Sequence, residues 1–165
     1  MVTSNGRYVY GIATGRSMVR LGPIGIEGSN VYTVGYKGIC AIVHDCPAEP
    51  YQSGDEETVK RWVRTHQNVL DRAKRRFGTI IPLGFDTILK PKVDTVHPDR
   101  MVEDWLSEDY ERLCHIVRRI RGRDEYGVQV SCEPGVVGKQ ISEESEEVRK
   151  IKEDMINKPP GTAYM

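Results

Sequence analysis

The chain has 165 residues, which is enough for one folded domain with a tail but not for two full domains. Lys and Arg total 24, and Asp and Glu also total 24, so the formal net charge is zero, whereas a general nucleic-acid-binding protein carries a basic excess. No apolar run approaches the roughly 20 residues of a membrane span, and Met1–Arg7 is polar, unlike a signal peptide. We therefore expect a cytoplasmic protein that does not span a membrane. The balanced charge predicts that it does not bind nucleic acid.

The first third of the chain has the composition of β-strands. Tyr8–Ile12 is rich in strand-forming residues, and Val31–Val34 and Ile39–Val43 predict two further strands. The four residues Gly35–Gly38 predict a hairpin between these two strands. Before them, Leu21–Gly28 contains three glycines and a proline and is expected to be a loop.

A change to helical periodicity follows from Asp55 onward. Apolar residues then recur at steps of three and four, which predicts an amphipathic helix. Its start carries a capping-box pattern, Ser53 with Glu56, and its basic end at Arg75 and Arg76 suits the helix dipole. The apolar face comprises Val59, Trp62, Val63, His66, Val69, Leu70, Ala73 and Phe77.

Beyond this helix, the sequence predicts a strand, a helix and a last strand. Thr79–Ile81 is a strand that Pro82 restricts to an edge or a bulge. The second helix begins near Pro98 and ends near Gly122, a natural C-cap. Tyr126–Val130 alternates apolar and polar residues and predicts the last strand.

The resulting order, β-β-β-α-β-α-β, predicts the α+β class. We expect a ferredoxin-like domain over residues 1–135, with a mainly antiparallel sheet and two helices on one of its faces. Trp62 and Trp105, one on the apolar face of each helix, would then pack on the sheet from the same side. The shorter span 6–132 is expected to fold alone.

Residues 136–165 are expected to form a linker with a charged helix and a Pro/Gly-rich tail. The helix is predicted from Ser142 to Asn157. Val148, Ile151 and Met155 form its apolar stripe, which has the width of a coiled-coil seam and is too narrow for a core. These three residues are the predicted partner-binding site.

No residue pattern predicts catalysis, a cofactor or a metal. The glycines of Leu21–Gly28 do not follow a phosphate-binding motif and lead into a strand rather than a helix. His44 lies between Cys40 and Cys46 without the short paired spacing of a zinc site, and alternation puts it on one strand face with Cys40. His66, on an apolar helix face, is expected to be a core or edge histidine with satisfied hydrogen bonds.

Two alternatives use other features of the chain. A ferredoxin-like small-molecule sensor would use the glycine loop as the rim of its ligand site. An RNA-binding module would use the basic clusters at Arg72–Arg76 and Arg118–Arg123 together with strand tyrosines, although the sequence pattern of RNA-recognition modules is missing. The strand tyrosines are Tyr8, Tyr10, Tyr32 and Tyr36.

Several segments, taken in order, resemble the gas vesicle protein GvpL/GvpF family. Gly6–Ile12 resembles its opening strand, and Leu21–Ile26 is similar to its Phe-Gly-Pro-Ile-Gly-Ile loop. Val31–Val34 and Ile39–Asp45 are similar to its next two strands. Pro82–Thr87 resembles its Leu-Pro-Met-Arg-Phe-Gly-Thr segment, with glycine and aspartate in place of the arginine and glycine.

This resemblance implies a structural or accessory role in gas vesicle formation rather than an enzymatic one. Family members bind the small shell protein GvpA and help nucleate or build the wall of these cytoplasmic, gas-filled compartments. The implied partners are therefore GvpA and other gas vesicle proteins. Gly161–Tyr164 resembles the start of a further region in longer relatives, which implies that this chain is shortened.

Overall fold

The computed structural model describes residues 6–16, 18–91, 97–124, 126–131, 135, 139 and 144–156. They divide into two units, with the boundary between Asp124 and residue 125. The first unit contains the sheet and its helices, and the second contains the C-terminal helix.

The strands of the first unit are β1 (Gly6–Thr14), β2 (Arg20–Gly22), β3 (Val31–Tyr36), β4 (Ile39–Cys46), β5 (Ile80–Pro82) and β6 (Ile88–Leu89). They form one antiparallel sheet, in the spatial order β2-β3-β4-β1-β5 with β6 also pairing β1. This confirms the α+β class and the predicted strands in the first 82 residues; β2 and β6 were not predicted.

Two glycines meet steric requirements of this sheet. At Gly11 the pairing of β1 with β4 shifts register, and a Cβ there would lie 2.7 Å from the backbone oxygen of Ile81. Lys37 and Gly38 have φ of 44° and 92°, the left-handed pair of a tight two-residue hairpin turn. The predicted hairpin is confirmed. The predicted loop Leu21–Gly28, called here the glycine loop, begins inside β2 at Leu21 and Gly22. Its remainder connects β2 to β3 and contains a short 3₁₀ turn at Ile26–Gly28.

Four α-helices lie within the described residues: α1 (Glu56–Phe77), α2 (Pro98–Glu108), α3 (Tyr110–Ile120) and α4 (Glu146–Ile156). The long second helix predicted from Pro98 is thus divided at Asp109. The N-cap of α1 is Asp55, whose carboxylate accepts from the N–H groups of Glu57 and Thr58, so the predicted Ser53 capping box is wrong.

The helices cover both faces of the sheet. Trp62 and Leu70 of α1 join the core cluster of Tyr8 and Tyr10, while Leu106 of α2 joins the cluster of the other face. The second cluster contains Val9, Ile12, Val34, Ile39, Ala41, Val43, Val102, Leu106 and Leu113. The ferredoxin-like description is compatible with this antiparallel sheet.

The predicted placement of both helices on one face is wrong. Trp105 packs against the second cluster, opposite Trp62. The physical reason is that β1 and β4 are apolar on both sides, so each face needs its own helical cover.

The predicted strand Tyr126–Val130 is also wrong. These residues are not in a strand, and the apolar side chains of Tyr126, Val128 and Val130 are 82–88% exposed. The alternation alone therefore did not predict a strand correctly here, because a strand also needs a neighbour to which it is hydrogen-bonded.

Candidate interaction sites

His66 is held inside the first core cluster by hydrogen bonds to both ring nitrogens. His66 Nε2 donates to the Leu83 carbonyl at 3.1 Å, because a carbonyl oxygen can only accept, so Nε2 carries the ring proton. The Tyr8 hydroxyl therefore donates to His66 Nδ1 at 2.8 Å, and it accepts from the backbone N–H of Asp86 at 3.0 Å. The expectation of a satisfied histidine at 66 is confirmed, and its place is the core.

His44 on β4 is also hydrogen-bonded through both ring nitrogens. The Tyr10 hydroxyl accepts from the backbone N–H of Ile26 at 3.1 Å and is hydrogen-bonded to His44 Nδ1 at 2.8 Å. His44 Nε2 is hydrogen-bonded to the Tyr51 hydroxyl at 3.0 Å. His44 lies on the face of β4 that also carries Cys40, as alternation predicts.

Burial keeps these groups electrically neutral at neutral pH. It lowers the pKa of His44 to about 4 and also lowers the pKa of His66. Burial raises the pKa of Tyr8 and Tyr10 well above the ordinary tyrosine value. The four side chains therefore hold the glycine loop and the loop after β5 onto the sheet, and they are not poised to exchange protons with a substrate.

The two buried cysteines, Cys40 and Cys46, are not placed as nucleophiles. Cys40 and Cys46 are buried, and burial raises the pKa of each thiol to about 11, so both stay protonated at neutral pH. Cys132 lies outside the described residues. Among the described residues, no group of three His, Cys, Asp or Glu side chains is placed to hold a metal ion.

A second polar cluster, centred on Arg7, was not predicted from the sequence. The Arg7 side chain is almost fully buried, and its Nε lies 2.7 Å from Asp99 Oδ1 and 3.4 Å from Asp45 Oδ1. The Tyr32 hydroxyl lies 2.7 Å from Asp45 and 2.9 Å from Asp99 and shares its proton between them. Burial opposes the charge of Arg7, but the hydrogen bond to Asp99 and the nearby carboxylates raise its pKa overall.

This cluster forms part of the wall of a cleft of about 540 Å³ between β2, β3 and the start of α2. Arg20, His97 and Gly22 also line the cleft. The described lining includes the charged side chains of Arg20, Asp45 and Asp99, so the cleft offers polar groups to a bound ligand.

The sequence gives little signal for the Arg7 cluster because its members come from four elements. Arg7 is on β1 and Asp99 is on α2, separated by 92 positions. The available hint was a charged residue, Arg7, inside a strand that is otherwise apolar. A buried charge needs a partner, but the sequence does not identify which one.

The predicted partner-binding residues lie on α4 in the second unit. Val148 is half-buried and Ile151 is 58% exposed, whereas the side chain of Met155 lies outside the described residues. Positions 148, 151 and 155 follow helical steps of three and four and therefore share one side of α4. The Ser145 hydroxyl accepts from the N–H of Val148 at the start of this helix.

The family model "Gas vesicle synthesis protein GvpL/GvpF" matches residues 6–165. The chain belongs to this family. The gas vesicle protein L1 of Halobacterium salinarum is 31% identical over 164 residues, which make up 98% of this chain and 56% of that protein. The gas vesicle protein L of Haloferax mediterranei is 29% identical over 86% of this chain and 42% of its own length.

Solved structures of GvpF proteins share the fold. The crystal structure of GvpF from Anabaena sp. PCC7120 has a TM-score of 0.68 and 21% identity, covering 96% of this chain and 61% of that one. GvpF from Microcystis aeruginosa has a TM-score of 0.69 and 18% identity, covering 94% and 61%. The chain thus spans about half the length of the curated relatives and about three fifths of these structures.

Proposed function

We propose that this chain is an accessory protein of gas vesicle formation, which binds the shell protein GvpA and helps nucleate or build the vesicle wall. The observation that carries the proposal is the GvpL/GvpF family match over residues 6–165. The relatives named above are themselves gas vesicle proteins. The expected place of action is the gas vesicle in the cytoplasm.

The geometry of the first unit supports a role in binding rather than in catalysis. Its buried histidines use both ring nitrogens for internal hydrogen bonds, so neither is available as a general base. Sheet and helices form a scaffold whose function would lie in its surfaces. Within the described residues, no helix is long and apolar enough to cross a bilayer.

Both sheet faces are covered by helices, which disfavours the RNA-binding alternative. RNA-recognition modules stack bases on aromatic residues of an open sheet face. Here Tyr8 and Tyr10 are fully buried under α1, and the opposite face is covered by α2.

Co-purification and deletion together test the proposed function. The tagged chain is expressed in a gas-vesicle-forming cell, and shell protein in the eluate is compared with that recovered by the tag alone. We expect shell protein to be enriched by the chain and vesicle number in electron micrographs to fall on its deletion. Unchanged vesicles after deletion, with no shell protein in the eluate, would overturn the proposal.

One observation favours the small-molecule alternative as a second candidate. Gly22 of the glycine loop lines the 540 Å³ cleft, as a ligand rim would, beside Arg20 and His97. A panel of amino acids and nucleotides can be screened by thermal shift. A saturable stabilisation that disappears in Arg20→Gln and persists in the exposed Arg118→Gln would establish the cleft as a ligand site.

A further inference from the structure

We propose that the outer face of α1 binds an acidic helix of a partner protein through a row of five arginines. This inference rests on the proposed function and specifies the partner's charge and shape. The row, called here the arginine stripe, consists of Arg61, Arg64, Arg72, Arg75 and Arg76, all of which are exposed.

The stripe is a continuous surface because of the helical period. At 3.6 residues per turn, the five positions fall within an arc of about 120°, away from the face that buries Trp62 and Val69. At 1.5 Å per residue they extend over roughly 22 Å of the helix axis. Asn68 and Thr65 lie inside the arc, and between Arg61 and Arg76 no acidic residue does.

Four of the five arginines have no ion-pair partner among the described residues. They are Arg64, Arg72, Arg75 and Arg76. Neighbouring lysines, by contrast, do form ion pairs within the chain: Lys60 pairs with Glu56 and Glu57, and Lys74 pairs with Asp124. On α2, Arg100 pairs with both Glu103 and Asp104.

The helix dipole accounts for only one end of the stripe. Its preference for cations is limited to the last turn, which contains Arg75 and Arg76. Arg61, Arg64 and Arg72 lie outside this turn. Like charges three or four positions apart, such as Arg72 and Arg76, destabilise an isolated helix. A row of such pairs in a chain of zero net charge therefore favours an external anion as its partner.

The residue type and spacing indicate what this anion is. Arginine binds carboxylates with two parallel hydrogen bonds, which favours a protein partner with ordered Asp or Glu side chains. The steps of three and four along the stripe match carboxylates on one side of a second helix. RNA is disfavoured because the described surface provides no stacked aromatic platform beside the stripe: Tyr8 and Tyr10 are buried.

The test uses the full chain and a synthetic helical peptide with glutamate at every third and fourth position in an alanine background. Four substitutions, Arg61→Gln, Arg64→Gln, Arg72→Gln and Arg75→Gln, remove most of the stripe. The matched control removes the same charge from exposed positions of α3 and the segment after it, with Arg118→Gln, Arg119→Gln, Arg121→Gln and Arg123→Gln. All these side chains are exposed, so unfolding midpoints should confirm that both variants fold.

We expect the stripe variant to bind the acidic peptide about tenfold more weakly than the wild type, since several ion pairs are lost together. The control variant should bind within about twofold of the wild type, and a glutamine version of the peptide should not bind. Equal loss in both variants would show general charge attraction and overturn the proposal. Tighter, stripe-dependent binding of polyuridylate RNA would also overturn it.

Vesicle number in cells carrying the same variants separates this proposal from the proposed function. If deletion of the chain leaves vesicles unchanged while the peptide still binds through the stripe, the proposed function fails and the acidic-partner surface stands. If deletion removes vesicles but the stripe variant binds the peptide and forms vesicles as the wild type does, only the stripe proposal fails.

Discussion

Single hydroxyl groups couple the sheet to its loops in this protein. The Tyr10 hydroxyl accepts from the Ile26 N–H in the glycine loop and is hydrogen-bonded to His44, so one oxygen joins a loop, a strand and a ring. The Tyr8 hydroxyl joins the Asp86 N–H to His66 in the same way. For His66, the Leu83 carbonyl places the ring proton on Nε2, because a carbonyl oxygen can only accept.

Replacing Tyr10 with phenylalanine should lower the free energy of unfolding by about 1–3 kcal/mol, because a buried N–H and a ring nitrogen both lose their partner. Urea unfolding at neutral pH measures this loss. The control is Tyr126→Phe at an 82% exposed position, where the change should stay within about 0.5 kcal/mol. Equal values for the two variants would show that the Tyr10 hydroxyl bond is energetically silent.

The two buried histidines make stability dependent on pH. The pKa of His44 is lowered to about 4 in the folded state, against about 6.5 when unfolded, so the unfolded chain binds more protons between these values. Stability from this group is therefore complete above pH 6.5 and is lost as pH falls, by about 3 kcal/mol down to pH 4. His66 adds to the loss, because its pKa is lowered in the same direction.

Unfolding free energies at neutral and acidic pH test this dependence. The decrease in unfolding free energy from neutral to acidic pH should be clearly smaller in His44→Gln than in the wild type. This holds whatever stability the substitution itself removes at neutral pH. His115→Gln, at an exposed position of α3, should keep the wild-type dependence. If His44→Gln and the wild type lost stability in parallel, His44 would not be the group that titrates.

At the scale of elements, the sheet is a central layer with α1 on one face and α2 and α3 on the other. Leu106→Ala on α2 should cost about 2–5 kcal/mol, like Leu70→Ala on α1, because each removes a buried side chain from its own core cluster. Val63→Ala, at a position 44% exposed, is the control and should cost less than about 1 kcal/mol. If Leu106→Ala cost no more than this control, the packing of α2 on its face of the sheet would not contribute to stability.

Elements with strong local signals could be predicted from the sequence. The period of α1, the proline at the start of α2 and the hairpin at Lys37–Gly38 each depend on nearby residues, and all are confirmed. The side of the sheet that each helix covers depends on distant packing. The continuous apolar run Ile39–Val43 did contain this information, since alternating polar residues would be expected if one face were open.

The candidate sites were predictable only where one residue and its own element decide the outcome. His66 could be identified as a core residue because it lies on the apolar face of α1. The Arg7 cluster could not, since Arg7, Tyr32, Asp45 and Asp99 meet only when four elements are assembled. Tyr126–Val130 had the right alternation for a strand, but alternation does not identify a neighbouring strand with which to hydrogen-bond.

At the scale of the whole molecule, the first unit contains both core clusters. A chain ending at residue 132 should therefore unfold cooperatively in urea, with a midpoint close to that of the full chain. The predicted domain boundary near residue 135 depends on this result. A broad, non-cooperative transition of the shortened chain would show that residues beyond 132 are needed for folding.

The last prediction concerns α4 and its proposed role in partner binding. Isolated helices of this length are marginally stable in water, and most of the α4 surface is charged. We expect the side formed by positions 148, 151 and 155 to be covered in the functional assembly. Ile151→Glu combined with Met155→Glu should then reduce both the helical circular-dichroism signal and the co-purification of shell protein.

Lys150→Glu provides a control with the same change of two charge units, placed on the other side of α4. It should keep shell-protein binding, because it introduces no charge into the apolar stripe. Its helical signal should fall by a part only, since the new glutamate lies four positions from Glu146 and from Asp154. Because both variants change the net charge by two units, a difference between them reports the loss of the apolar stripe and not the altered net charge. If the double variant matched this control in both measurements, Val148, Ile151 and Met155 would be ordinary surface residues and the partner site would lie elsewhere.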